Sequence, residues 1–245
     1  MSELVRVSII GTAGRKDDAN RMTAALFDQM CAKALDLITS DLNLDIRKVV
    51  LVSGGAAWSD HVAVKLFISS LVKVQQRTEQ ISEQNNEETK SFAGLNLHLP
   101  CGFDSQLSKA VDNGSFDWRM NPGRLMNRLH SEFGSKLGYS TLEEIPTAVE
   151  LGAQLCVYPG FHARNRTVSS SPYCIAFSWS KTNEPDDGGT KFTWKLCKGQ
   201  KVHVSLHDFS TSKQQAEIPS SSVLSVKRKF IETSSLDKSS SNKRS

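Results

Sequence analysis

Three short runs place anion-binding and reactive residue types at the ends of apolar segments. Tyr158–Arg166 reads Tyr-Pro-Gly-Phe-His-Ala-Arg-Asn-Arg, and Asp186–Thr190 reads Asp-Asp-Gly-Gly-Thr. The apolar segment Tyr173–Trp179 lies between them. One run brings Arg164 and Asn165; the other brings Gly188, Gly189 and Thr190 at a helix start, with Lys191 next. Unpaired N–H groups at the positive end of a helix dipole, glycines that admit a close backbone approach and a nearby guanidinium together make an anion site. The third run, Ser53-Gly54-Gly55-Ala56 with Asp60 four residues on, repeats this logic. Gly11, Thr12 and Arg15 follow the first apolar run; they suit either phosphate contact or a tight turn. Asp60 suits a helix cap, a sugar hydroxyl or a metal. The pair Asp186-Asp187 suits Mg2+ beside a phosphate, or simply polar loop surface.

The elements that must position these residues follow from hydrophobic periodicity. Strands are expected over Val5–Ile10, Lys48–Ser53, Leu95–Pro100, Gln154–Tyr158, Tyr173–Trp179 and Lys201–Leu206. Helices are expected around Met22–Ile38, from His61 to about Val74, from Pro122 along the stripe Leu125, Leu129, Phe133 and Leu137, and over Phe161–Ser170 and Lys191–Lys198. Thr141 to Glu144 reads as a capping box before a helix from Ile145, and Gly199 as a helix C-terminal cap. His61 shows no partner in the sequence and reads as a helix-start residue. The polar stretch Gln75–Lys90 should extend a helix and then fray. Strands alternating with helices predict an α/β fold, a Rossmann-like open and mainly parallel sheet of about six strands with helices on both faces. The glycine-bearing and polar loops then fall on one edge of the sheet. The irregular stretch Cys101–Met120, with Asp104, Asp117, Trp118 and Arg119, follows a strand's C-terminal end and reads as a lid or as a packed insertion.

Composition narrows the function classes. The chain has 245 residues and a net charge of +4, all of which resides in residues 211–245; residues 1–210 hold 23 basic and 23 acidic residues. The terminal segment is Ser- and Lys-rich, reads as a disordered tail, and carries one weak basic cluster, Lys227-Arg228-Lys229. A neutral core makes a duplex nucleic-acid partner an unfavoured expectation. No apolar run approaches the roughly 18 residues of a membrane span, and the N-terminus enters a strand at once, so a cytoplasmic address is expected. The five cysteines form no C-x-x-C pair; Cys156 and Cys174 lie in apolar runs and read as small buried hydrophobes.

The order of motifs resembles the SLOG superfamily, the Rossmann-like group that includes DNA-processing protein A and the "lonely guy" phosphoribohydrolases, over roughly residues 4–208. Ser53-Gly-Gly-Ala56 with Asp60 is similar to the DNA-processing signature. Arg164-Asn165, then a hydrophobic strand, then Gly188-Gly189-Thr190 is similar to the superfamily's Arg-Lys/Asn…Gly-Gly…Thr arrangement. The resemblance implies a nucleotide-derived ligand with its phosphate on the Gly188–Thr190 helix start, and a catalytic role for Arg164. The sequence departs from the phosphoribohydrolase loop by lacking its second Gly-Thr and its glutamate. Any acid or base must then come from Asp60, Asp104, Asp117, Glu184, Asp186, Asp187 or His162. Two functions are therefore expected: a hydrolase of a small nucleotide, cutting either the phosphate ester or the base–sugar bond with Arg164, Asp60 and Asp187 as its catalytic residues, or a non-catalytic nucleotide sensor. Single-stranded nucleic-acid binding is a weaker third, and a homo-oligomer is compatible with either of the first two.

Overall fold

β-branched and apolar residues at alternate positions build a sheet that is covered on both faces. The computed structural model describes residues 3–80 and 90–210. The expected tail from residue 211, with Lys227–Lys229, lies outside the described residues, as does most of the expected fraying segment. In chain order the elements are β1 (Val5–Gly11), α1 (Asp18–Arg21), α2 (Ala24–Asp36), β2 (Val49–Ser53), α3 (His61–Gln80), β3 (Gly94–Leu99), β4 (Phe103–Asp104), β5 (Lys109–Ala110), α4 (Pro122–Leu137), α5 (Glu144–Glu150), β6 (Gln154–Val157), α6 (Phe161–Val168), β7 (Tyr173–Ser178), α7 (Gly188–Leu196), β8 (Gln200–Ser205) and α8 (His207–Ser210).

Six strands form one parallel sheet in the order β6-β3-β2-β1-β7-β8. Successive side chains point to opposite faces, and burial follows that period. Val7 and Ile9 of β1, Leu51 of β2, and Ile175 and Phe177 of β7 enter the larger core with residues of α2, α3, α4 and α5. Ile10, Val52, Cys174 and Ala176 enter the smaller core with Val168 of α6 and Trp194 of α7. The fold is thus the expected three-layer α/β arrangement. No helix among the described residues is long and apolar enough to cross a membrane.

Several local expectations change. Cys101–Met120 is not wholly irregular: β4 and β5 pair antiparallel within it. The helix after Arg15 divides into α1 and α2, and Thr23 caps the second by accepting from Leu26 N at 3.1 Å. The capping box at Thr141 does not form. The Thr141 hydroxyl lies 2.9 Å from His130 Nδ1, and the Glu144 side chain turns inward to His61 Nε2 (2.8 Å) and Lys65 Nζ (3.0 Å). His61, fully buried, therefore has a strong partner 83 residues away. Gly199 is not a helix cap, because α7 ends at Leu196; a Cβ there would overlap the Pro172 carbonyl, so glycine permits a close backbone approach. Cys174 is buried as expected, but Cys156 is exposed, since β6 is a sheet-edge strand.

The buried polar groups make stability acid-sensitive. His130 Nε2 donates to the Gly55 carbonyl at 3.0 Å, and burial lowers its pKa to about 3 from an ordinary 6.5. Glu144 falls to about 2 from an ordinary 4.5: burial works against ionisation but is outweighed by the bonds and charges of His61 and Lys65. Both folded-state values are depressed. The stability they contribute is complete above the unfolded values and lost as pH falls toward the folded ones: from about 6.5 toward 3 for His130, and from about 4.5 toward 2 for Glu144. Thermal melts should show Tm falling by on the order of 5–10 °C between pH 7 and pH 4. His130→Gln keeps a donor toward Gly55 and does not titrate, so it should be less stable at pH 7 but lose less over that interval.

Candidate functional site

The neighbouring strands β2, β1 and β7 all run the same way, so their C-terminal ends bring three loops together. The chain leaves β1 toward β2 on one side and meets β7 on the other. That topological switch is where open α/β sheets hold ligands. The loops are tied to one another. Thr12 N donates to Phe177 O (2.9 Å), Ser59 N to Thr12 O (3.3 Å), and the Thr190 hydroxyl to Gly11 O (2.7 Å).

Asp60 lies beneath this junction. Its buried carboxylate feels the backbone N–H groups of Ala56, Gly11 and Gly54, and its Oδ2 is 3.3 Å from Arg164 Nη1. The two side chains are 4% and 8% exposed. Burial raises the Asp60 carboxyl above its ordinary range, while Arg164 and the three N–H groups oppose that rise. Burial also lowers Arg164, opposed by Asp60; a guanidinium starts so high that it stays charged. A Cβ at Gly54 would overlap both the Arg164 guanidinium and the Asp60 carboxylate, so glycine here makes room for the ion pair. The expected catalytic pair is therefore brought together, but each partner's charge is engaged by the other.

Next to the pair lies the glycine platform. Gly188 and Gly189 open α7 and are exposed, and Asp187, at the N-cap, makes no side-chain cap bond. Asn165 Nδ2 lies 3.5 Å from where a Cβ on Gly189 would sit, and Arg15 Nη2 lies 3.2 Å from the corresponding point on Gly188. The structure thus links Gly189, Asn165, Arg164, Gly54, Asp60, Gly11 and Thr190 in one continuous neighbourhood. Three buried polar atoms within it make no hydrogen bond in the protein: Ser59 Oγ, Arg164 Nε and Asn165 Oδ1. Buried groups are ordinarily satisfied by protein or ordered water; the protein's own groups leave these three open.

The remaining expected residues divide. Thr12 Oγ1 donates to Asp18 Oδ2 (2.7 Å) and accepts from Gly14 N, which shapes the loop. The Ser53 hydroxyl donates to Asp60 O and accepts from Gly55 N, shaping the next loop in the same way. Asp104 is committed to the hairpin turn, accepting from Gln106 N and Leu107 N. Asp117 accepts from Arg119 N, and Glu184 lies in an exposed loop. His162 packs edge-on against Phe192, and Lys191 Nζ donates to Asp186 O at 3.0 Å. Trp118 reaches the site through Phe161, with ring centroids 5.9 Å apart, and Arg119 lies over its ring. Among the described residues no group of three or more His, Cys, Asp or Glu is placed to hold a metal ion. Asp186 and Asp187 are exposed neighbours in the loop before α7 and form no such group.

Sequence reading passed over Ser59, Phe161, His98 and Tyr158. The Tyr158 hydroxyl lies 3.1 Å from His98 Nδ1, and burial, with the Arg164 charge adding to it, lowers His98 to about 4. The position of His98 near the end of β3 was the available signal. A broad hollow of about 540 Å3 lies elsewhere, by the N-terminal ends of β3 and β6, between Phe67, Leu71, Phe92 and Leu151; its Arg47 is paired with Asp45. It gathers no reactive side chains.

No family model matches the chain, and no solved structure matches it. The chain is 32% identical over 206 residues to an uncharacterized protein of Acanthamoeba polyphaga mimivirus, covering 82% of this chain and 96% of the viral protein.

The ion pair generates a double-mutant test. Asp60→Asn leaves Arg164 buried without a counter-charge and should cost about 3–5 kcal/mol in denaturant unfolding. Adding Arg164→Met should recover part of that loss. Equal stability of Asp60→Asn and the parent would show that the pair contributes nothing.

Proposed function

The chain belongs to the same family as this mimiviral protein, and for it we propose a binding function: the junction of β1, β2 and β7 takes a small phosphorylated ligand of nucleotide type. The observation that carries this reading is the coincidence of the exposed Gly188–Gly189 helix start with unsatisfied Asn165 Oδ1, Arg164 Nε and Ser59 Oγ. The amides opening α7 would hold phosphate oxygens. Exposed Arg15, close to Gly188, would supply the mobile positive charge, while Arg164, already paired with Asp60, supplies a fixed background field and a spare Nε–H. Asn165 offers a carboxamide acceptor for a hydroxyl or amine of the ligand.

A second reading, hydrolysis, is favoured by one observation. Asp187 stands exposed immediately before Gly188 and is not used as a cap. There it could take a proton from a water attacking the ligand and return it to the departing group. The bond cut would be a phosphate ester or a base–sugar bond, and dependence on Mg2+ would mark the ester. Asp60 is a poor base for this step, since its carboxylate is buried and already paired with Arg164.

The test is a panel of nucleoside monophosphates, with and without Mg2+, read by thermal shift and by product analysis. A binder should raise Tm in proportion to the logarithm of ligand concentration. Asn165→Ala should weaken that binding about tenfold, the value of one hydrogen bond. Turnover abolished by Asp187→Asn, with the Tm shift retained, would establish the hydrolase; a Tm shift without product establishes the sensor. No shift with any nucleotide removes both.

A further inference from the structure

The strap between β3 and α4 is unusually apolar on its outside. Leu107, Val111, Phe116, Trp118 and Met120 are all large hydrophobics left exposed, Phe116 at 86% and Trp118 at 40%. Exposed large hydrophobics clustered in one segment are candidates for a binding surface. Two of these rings carry guanidinium groups: Arg124 lies 3.8 Å from the Phe116 centroid, and Arg119 lies 4.8 Å from that of Trp118. Trp118 in turn lies against Phe161, the first residue of α6, whose ring is 5.8 Å from the Arg164 guanidinium.

Phe161 is also fixed relative to the glycine platform. Phe161 and Asn165 are four residues apart on α6, hence on one face of the helix and about 6 Å apart along its axis. Asn165 Nδ2 faces the platform, 3.5 Å from where a Cβ on Gly189 would sit. An aromatic ledge therefore begins one helical turn from the place proposed for phosphate. The unpartnered Arg164 Nε and Asn165 Oδ1 lie on the same short helix.

We propose that Trp118 and Phe161 form a stacking ledge for the aromatic base of the ligand. The site would then select a nucleotide over the corresponding phosphorylated sugar. This rests on the phosphate-site reading above and adds to it a named recognition element supplied by the strap. Arg119, on the Trp118 ring, strengthens the ledge for an electron-rich base and adds positive charge near an anionic guest. Stacking tolerates any base, so the ledge chooses aromatic over non-aromatic ligands and does not choose among bases.

The test measures Kd by calorimetry on the full chain with two probes that share a phosphosugar: adenosine 5′-monophosphate and ribose 5-phosphate. The parent protein should bind the nucleotide at least tenfold more tightly. Trp118→Ala should lose roughly tenfold or more for the nucleotide, the usual effect of removing one stacking ring, with ribose 5-phosphate affinity unchanged. Trp118→Phe should restore most of the nucleotide affinity. Because Trp118 is partly exposed, its substitution leaves the cores untouched, and an unchanged Tm in the absence of ligand checks this. If both probes bind equally and Trp118→Ala changes neither, the ledge is overturned while the phosphate site stands. If neither probe binds the parent protein, the phosphate site fails and the ledge fails with it.

Discussion

One buried attraction organises the site: the ion pair of Asp60 and Arg164. A carboxylate taken out of water must have its lone pairs filled. Here one guanidinium bonds the carboxylate, and the N–H groups of Gly11, Gly54 and Ala56 add their favourable dipoles. Those partners come from the end of β1, from the turn after β2 and from α6. The charge thus fixes the relative positions of three segments distant in sequence. Coulombic gain and desolvation nearly cancel for such pairs, so the pair's main product is position rather than stability.

A second polar group holds the other side of the same turn. His130 of α4 donates to Gly55 O, and beside it the His61–Glu144–Lys65 cluster joins α3 to α5. The rings of His61, His130 and Phe133 meet edge to face, and Trp58 lies on Phe133 with centroids 4.2 Å apart. Trp58 adopts φ 62, a conformation that a side chain reaches only when its surroundings enforce it. The turn from Ser53 to Asp60 is thereby locked from the side of the larger core, while its outer surface meets Arg164. The result is a rigid turn whose polar groups are largely engaged within the protein.

Much of this was legible from the sequence, for a physical reason. Strand alternation is local, so the six strands and their two faces follow from residues such as Val7, Ile9 and Ile175. The Gly-Gly runs after β2 and before α7 are local as well, and they do lie at strand or helix ends. What could not be read were contacts between distant side chains. His61 seemed partnerless because Glu144 is 83 residues away, and Thr141 and Glu144 resembled a cap because both have the right types at the right spacing. In the folded chain stronger partners claim them. Nor could it be read that Arg164 and Asp60, 104 residues apart, pair with each other. Cys156 read as buried because its neighbours are apolar, but only the strand order shows that β6 lies at the edge.

The return of α6 across the sheet has a consequence for synthesis of the chain. β6 lies at one margin and β7 near the middle, so the chain after β6 must travel back past β3, β2 and β1 before it can pair. Arg164 and Asn165 ride on that returning segment, and the glycine platform follows it. A ribosome-bound fragment ending before this passage leaves Asp60 without its countercharge. The junction is therefore completed only once α6 and α7 have emerged, in a single late step rather than by gradual gain.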